Sequence, residues 1–266
     1  MRNYYYLIAG LPDITIDDSK AALTVSQFRA EVFDSLSGQD RKVMDLLRQE
    51  SVCRGFIGSD LMEQLVADVK ADEAPRGDIP PFMYVFVQEW LDDSWRQKAA
   101  FAEDRLWSLF YEYAMAQSGN EFVSSWYEFN LNLNNIMSGI TARKYNLDIQ
   151  KVIVGQGDVA QALRTSGARD WGLSLELEYF DDILRLIDEP DLSQRERKVD
   201  LLRWNWLEEH TFFNYFSVER LFSFMVRLGI VERWTTLDKE KGQQLFRKLI
   251  GDLKEQTTVP AEFKTN

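Results

Sequence analysis

Apolar residues recur at helical spacing through most of this chain. Val25, Phe28, Val32 and Leu36 fall at i, i+3, i+7 and i+11, and the pattern resumes over 40–49 after Ser37-Gly38 interrupts it. Ser59 stands as an N-cap before Leu61, Leu65, Val66 and Val69. A long helical stretch is expected over 82–117, with a joint near Ser94, and another over 122–144. Further helical patterns cover 171–187, 193–209, 217–234 and 237–253, the first closed by Glu189-Pro190. Two pieces break the rule: 3–10 suggests a strand or an extended lead-in, and 151–158 has strand-like character. The pattern therefore predicts an all-α, multi-helix bundle of about ten helices with a short extended N-terminal segment. Segments 122–144 and 212–234 both open on aromatics and are loosely alike, which suggests duplicated helical units. Residues 71–81 hold three of the six prolines and Gly77, so this loop is the candidate subdomain break in a single helical domain spanning 1–266.

Two helices stand out. In 122–144, Phe129, Leu133, Ile136, Met137 and Ile140 form an apolar stripe, yet Asn130, Asn132, Asn134 and Asn135 crowd the same helix. Asparagine is a mediocre helix former because its amide competes for backbone groups. Four of them in six residues predict specific hydrogen bonds and a defined packing partner. In 212–234, Val218, Leu221, Phe222, Met225 and Leu228 make one apolar stripe, widened by Phe224 and Val231. Arg220, Ser223 and Arg227 are the clean polar stripe. A helix so nearly apolar is largely buried, in its own core or an interface, and its two arginines suit pairing with carboxylates.

Composition narrows the class. Hydrophobic residues make up 45% of the 266, enough for a sizeable core, and the eight tryptophans all lie from Trp90 onward. The net charge of −12 disfavours a nucleic-acid partner and broad binding to anionic lipid. One cysteine, Cys53, permits no intrachain disulfide and no multi-cysteine zinc site. The tyrosine-rich run over 4–11 ends at Pro12-Asp13 and does not resemble a secretory signal. No run approaches the roughly 18 apolar residues of a membrane span. The expectation is a soluble, cytoplasmic protein that reaches a membrane only through partner subunits.

Candidate chemistry is sparse. Gly155-Gln156-Gly157-Asp158-Val159-Ala160 matches G-x-G-x-x-A after Val152-Ile153-Val154, the pattern that lets backbone approach a pyrophosphate, and Glu176 or Glu178 lies at the distance of a ribose-binding acid. Against it, the apolar run is short, nothing else suggests a parallel sheet, and Asp158 falls where phosphate would sit; a glycine turn between helices is the simpler reading. His210 is the only histidine, which excludes two-histidine metal motifs; it is a candidate base beside Glu208 or Glu209, or a dipole-favoured residue at a helix C-terminus. Cys53 beside Arg54 is either an activated thiolate or a small packed hydrophobe. Asp92-Asp93 and Asp181-Asp182 are helix neighbours that point apart and suit solvated faces. There is no Walker A sequence, G-x-S-x-G elbow or H-E-x-x-H. No catalytic residue, metal or cofactor is expected.

Two blocks together resemble the central-stalk C-subunit family of V-type and archaeal-type ATP synthases, known as the d-subunit in V-ATPases. Asn132-Leu133-Asn134-Asn135-Ile136, followed by Arg143-Lys144, resembles that family's acidic-leucine-x-Asn-Ile helix and its basic cluster. Phe216-Ser217-Val218-Glu219-Arg220-Leu221-Phe222 through Glu232-Arg233 resembles a second family helix. The opening Tyr4–Asp13 stretch is similar to an uncharacterised bacterial family encoded among V-type ATP synthase genes. Here Asn132 stands in place of the family's acid, the basic pair arrives late, and the chain is shorter than typical members. The resemblance covers about a third of the chain. It implies a non-catalytic component coupling the central-shaft subunits to the membrane proteolipid ring. Asn132, Asn135, Arg143, Lys144, Arg220, Arg227 and Trp234 are then the interface or structural candidates. A nucleotide-binding enzyme built on Gly155–Ala160, and a helical adaptor or assembly factor, are the alternatives.

Overall fold

Short polar side chains open most of the helices. The computed structural model describes residues 4–18, 23–73, 79–92, 101–117 and 119–237. Twelve helices lie among them: α1 (Tyr5–Ala9), α2 (Val25–Phe33), α3 (Gly38–Cys53), α4 (Asp60–Lys70), α5 (Pro81–Leu91), α6 (Ala102–Gln117), α7 (Glu121–Tyr145), α8 (Ile149–Val152), α9 (Asp158–Thr165), α10 (Phe180–Ile187), α11 (Leu192–Thr211) and α12 (Val218–Thr236). Thr24 and Gln27 form a reciprocal capping box before α2. Ser37, Ser59, Asn120 and Asp191 each accept a first-turn backbone N–H, at the starts of α3, α4, α7 and α11. Asn146 closes α7 in the left-handed conformation, φ 53°. No strand occurs among the described residues, and no helix there is long and apolar enough to cross a membrane.

The 25-residue α7 is the axis of the molecule. Helices α6, α8, α9, α10 and α11 pack against it, while α12 packs on α11, α2 and α3. One apolar cluster runs from Tyr4 to Val231, and α4 and α5, on either side of the proline-rich loop, pack on each other. Aromatic rings meet edge-on at its centre: Phe110 against Tyr127 at 5.4 Å, and Tyr127 against Phe222 at 6.3 Å. Phe129 stacks on Trp206 at 5.2 Å. Burying each such ring contributes about 2–3 kcal/mol beyond what an exposed ring would give.

Three expectations need correction. The N-terminal segment is helical, not extended. Tyr4 and Ile8 are buried at i and i+4, whereas an alternating strand would bury Tyr6, which is 92% exposed. The strand-like 151–158 piece ends a single helical turn, α8, and passes through extended Ile153; the backbone of Val154 bonds a side chain of α7 rather than a neighbouring strand. The helix expected over 171–187 begins only at Phe180. Trp171 and Gly172 take left-handed conformations, φ 55° and 82°, and Asp170 accepts the Gly172 N–H and the Ser174 hydroxyl to hold the turn. The likeness of 122–144 to 212–234 also parts at their starts: Phe122 is inside α7, but Phe212 and Phe213 lie in the turn before α12. The helix expected over 237–253 and the joint near Ser94 fall outside the described residues.

Candidate functional site

The asparagines of α7 each find a partner, and the partners differ. Asn135, 2% exposed, donates Nδ2 to the Val154 carbonyl at 2.7 Å and accepts the Val154 N–H on Oδ1 at 2.9 Å. One side-chain amide thus satisfies both backbone groups of a residue that has left the helix. Asn132, on another side of α7, bonds the Tyr179 hydroxyl. Asn130 and Asn134, one turn apart, face α11 and share its Arg203. Nε of Arg203 donates to Asn130 Oδ1 at 2.9 Å, and one Nη donates to Asn134 Oδ1 at 3.4 Å. Asn130 also donates to the Trp126 carbonyl, and Asn134 to the Tyr111 hydroxyl.

Asp200, 1% exposed, is the second hub. Its carboxylate accepts from Arg203 at 3.4 Å, from the guanidinium of Arg233, and from the Trp234 indole N–H at 2.8 Å. Burial lowers the pKa of Arg203 and of Arg233, because water no longer stabilises either cation. Nearby, Arg227 is buried against the Trp204 ring at 5.0 Å and bonds Glu208 at 2.8 Å; burial lowers its pKa too. Ser223 and Arg227 of the Arg220–Ser223–Arg227 stripe therefore turn inward toward α11, Ser223 being 0% exposed, while Arg220 is half-buried.

Of these groups, Asn130, Asn134, Asn135, Asp200, Arg203 and Arg233 line a cleft of about 690 Å³ between α3, α6, α7, α11 and α12. Its size is that of a small-ligand site. Trp107, Tyr111 and Trp126 supply aromatic surface; Glu50, Arg54 and Asp104 supply further charge. Burial, and then Glu103, raise the Asp104 pKa, while burial and Glu50 push the Tyr111 hydroxyl upward. The lining contains no histidine or cysteine. Its polar lining includes amides and guanidiniums bonded to one another, to Asp200 and to the backbone.

The other candidates lie apart from it. Arg143 sits over the Trp171 ring at 3.7 Å and donates to the Arg169 carbonyl. Lys144 is exposed beside Tyr145. Arg220 is half-buried beside Tyr215 and Thr211. In the glycine loop Gly155 has φ 79°, a conformation suited to glycine, and Gly157 caps α9. Arg164 takes the Gly155 and Ile153 carbonyls at 2.8 and 2.6 Å, and Asp158 occupies the first turn. His210 stacks on Trp206 at 3.8 Å, with Nδ1 2.8 Å from that residue's carbonyl, while Glu208 is committed to Arg227. Cys53 is 3% exposed, and burial pushes its thiol up to about 12. Asp181 and Asp182 are exposed. Among the described residues no group of three or more His, Cys, Asp and Glu is placed to hold a metal ion.

Sequence reasoning missed Asp200, Arg203 and Arg233 as a unit. The available signal was an acid and a base at i and i+3 in a tryptophan-rich stretch, Asp200 to Arg203, facing the asparagines of another helix.

A body of tied helices with a polar cleft is the class these features define. The chain belongs to the family described as a protein of unknown function (DUF2764), whose model matches residues 1–257. No curated protein and no solved structure matches it.

Proposed function

We propose that this chain is a non-catalytic component of a V-type ATP synthase, similar to the C-subunit, coupling the central-shaft subunits to the membrane proteolipid ring. The observation that carries the proposal is that the helices holding the two resembling blocks are tied together, block to block through α11, where Arg203 bonds Asn134 of the first and Asp200 bonds Arg233 of the second, and directly at their N-terminal ends. Asn120, the N-cap of α7, donates to Glu219 of α12 at 2.7 Å, and Phe122 and Tyr127 pack edge-on to Phe222. A coupling part must resist rotation of one helix against its neighbour. Directional bonds provide that resistance, since Arg203 ties α11 to α7, while Asp200 and Glu208 tie α11 to α12. Membrane attachment on this reading comes through partner subunits, and the working compartment is the cytoplasmic face.

Quantitative mass spectrometry of the affinity-purified synthase tests the assignment. A permanent coupling part is present at a fixed ratio to the shaft subunits. A substoichiometric amount would make the chain an assembly factor or adaptor, and consistent absence would remove the proposal. The nucleotide-binding alternative is tested separately, by titrating the tryptophan emission with NAD and ATP.

A further inference from the structure

Two segments some two hundred residues apart meet, and both carry exposed aromatic rings. The Tyr4 N–H donates to the Phe216 carbonyl at 2.7 Å, and the Tyr5 and Phe216 rings lie 4.3 Å apart, which fixes α1 against the turn that precedes α12. Around this junction Tyr6 is 92% exposed, Phe213 91%, Phe212 70%, Tyr215 60% and Tyr5 56%. Phe212 and Phe213 brace each other edge-on at 5.0 Å, as do Tyr215 and Phe216 at 5.3 Å. Tyr5, Phe212, Phe213 and Tyr215 are thus each braced by a neighbouring ring while exposed. At about 200 Å² for each residue, the five exposures sum to roughly 700 Å². A monomer's largest apolar patch is about 300–600 Å².

We infer that this surface pairs with the same surface on a second copy of the chain. Three observations select that occupant. Its area approaches the roughly 800 Å² per partner of a stable, standard-sized interface. Charges of both signs flank it: exposed Glu209 at the end of α11, and Arg220, whose guanidinium lies 5.7 Å from the Tyr215 ring. An isologous interface is self-complementary, so an acid and a base at the rim of one patch allow each to meet its opposite on the other copy. The five rings themselves carry no carboxylate, so they form a region where two chains of net charge −12 meet without direct repulsion. Tyrosine and phenylalanine are also the residue types enriched at interface centres. The pairing does not depend on the coupling role: it is a property of the purified chain.

Sedimentation equilibrium of the full chain, from about 1 to about 100 µM, reads it directly. The expected result is a reversible dimer, weakened at least tenfold by Phe213→Asp and by Tyr6→Asp, each with an unchanged melting temperature at monomeric concentration. Glu209→Arg weakens the dimer, and combining it with Arg220→Glu restores association. Phe213→Ser, which introduces no charge, weakens it in the same direction. A wild-type monomer across the whole range overturns the inference, as does a dimer indifferent to Phe213 and Tyr6. Monomeric protein that instead co-sediments with neutral phosphatidylcholine vesicles, and loses this with Phe213→Ser, overturns it in favour of a lipid surface.

Discussion

Asn135 shows how one polar side chain can decide a local backbone path. Its amide replaces the strand partner that Val154 lacks, and it is buried where water cannot substitute. Asn135→Ala orphans a backbone N–H and a backbone carbonyl, so it should cost about 1–3 kcal/mol in urea denaturation. Hydrogen exchange of the Val154 amide should rise more than exchange in α11. A change indistinguishable from zero would mean that the Val154 groups find water. Cys53 gives a second test at this scale. Folding raises its pKa from an ordinary value near 9 to about 12, so the folded state keeps a proton that the unfolded state releases. Its contribution is complete below pH 9 and is lost as pH rises toward about 12. Tyr111 and the fully buried Tyr127 hydroxyl shift upward too, principally through burial, and act in the same direction. Stability should therefore fall on the alkaline side, with the decline shallower in Cys53→Ala when each variant is compared with its own neutral-pH value. The native thiol should resist iodoacetamide at pH 8 until the chain unfolds. Rapid labelling of folded protein would contradict its burial.

At the scale of elements, the three long helices are held by charge as well as by apolar contact. Asp200 of α11 serves Arg203 on its own helix and Arg233 and Trp234 on α12. Asp200→Ala strands two partly desolvated guanidiniums, and the expected loss is about 3–5 kcal/mol. The urea midpoint should fall with little change in slope. A loss below about 1 kcal/mol would show that water or another carboxylate takes over. The helices themselves were legible in the sequence because burial imposes a stripe: Phe129, Leu133 and Ile136 of α7 are all inside, and Ser59 caps α4. Segments failed where tertiary contacts overrode local pattern. Tyr4 and Ile8 needed the α12 side of the molecule to become a helix face, and Val154 needed Asn135. The cleft was legible only in part. The asparagines announced specific bonds, but Arg203 draws its partners from α7 and α11, and Asp200 from α11 and α12; no spacing within one helix records such a convergence.

For the whole molecule, an acidic, tightly tied helical body is joined to a proposed role in coupling. Such a part is required for transmission rather than for ATP hydrolysis itself. The direct test uses membrane vesicles carrying the V-type ATP synthase of the same cell, with the gene for this chain deleted, assayed in parallel for ATP hydrolysis and ATP-driven ion uptake. Hydrolysis should persist while uptake is lost, and adding back the purified chain should restore uptake. Uptake that stays at the wild-type ratio to hydrolysis in the deleted strain would contradict the coupling role.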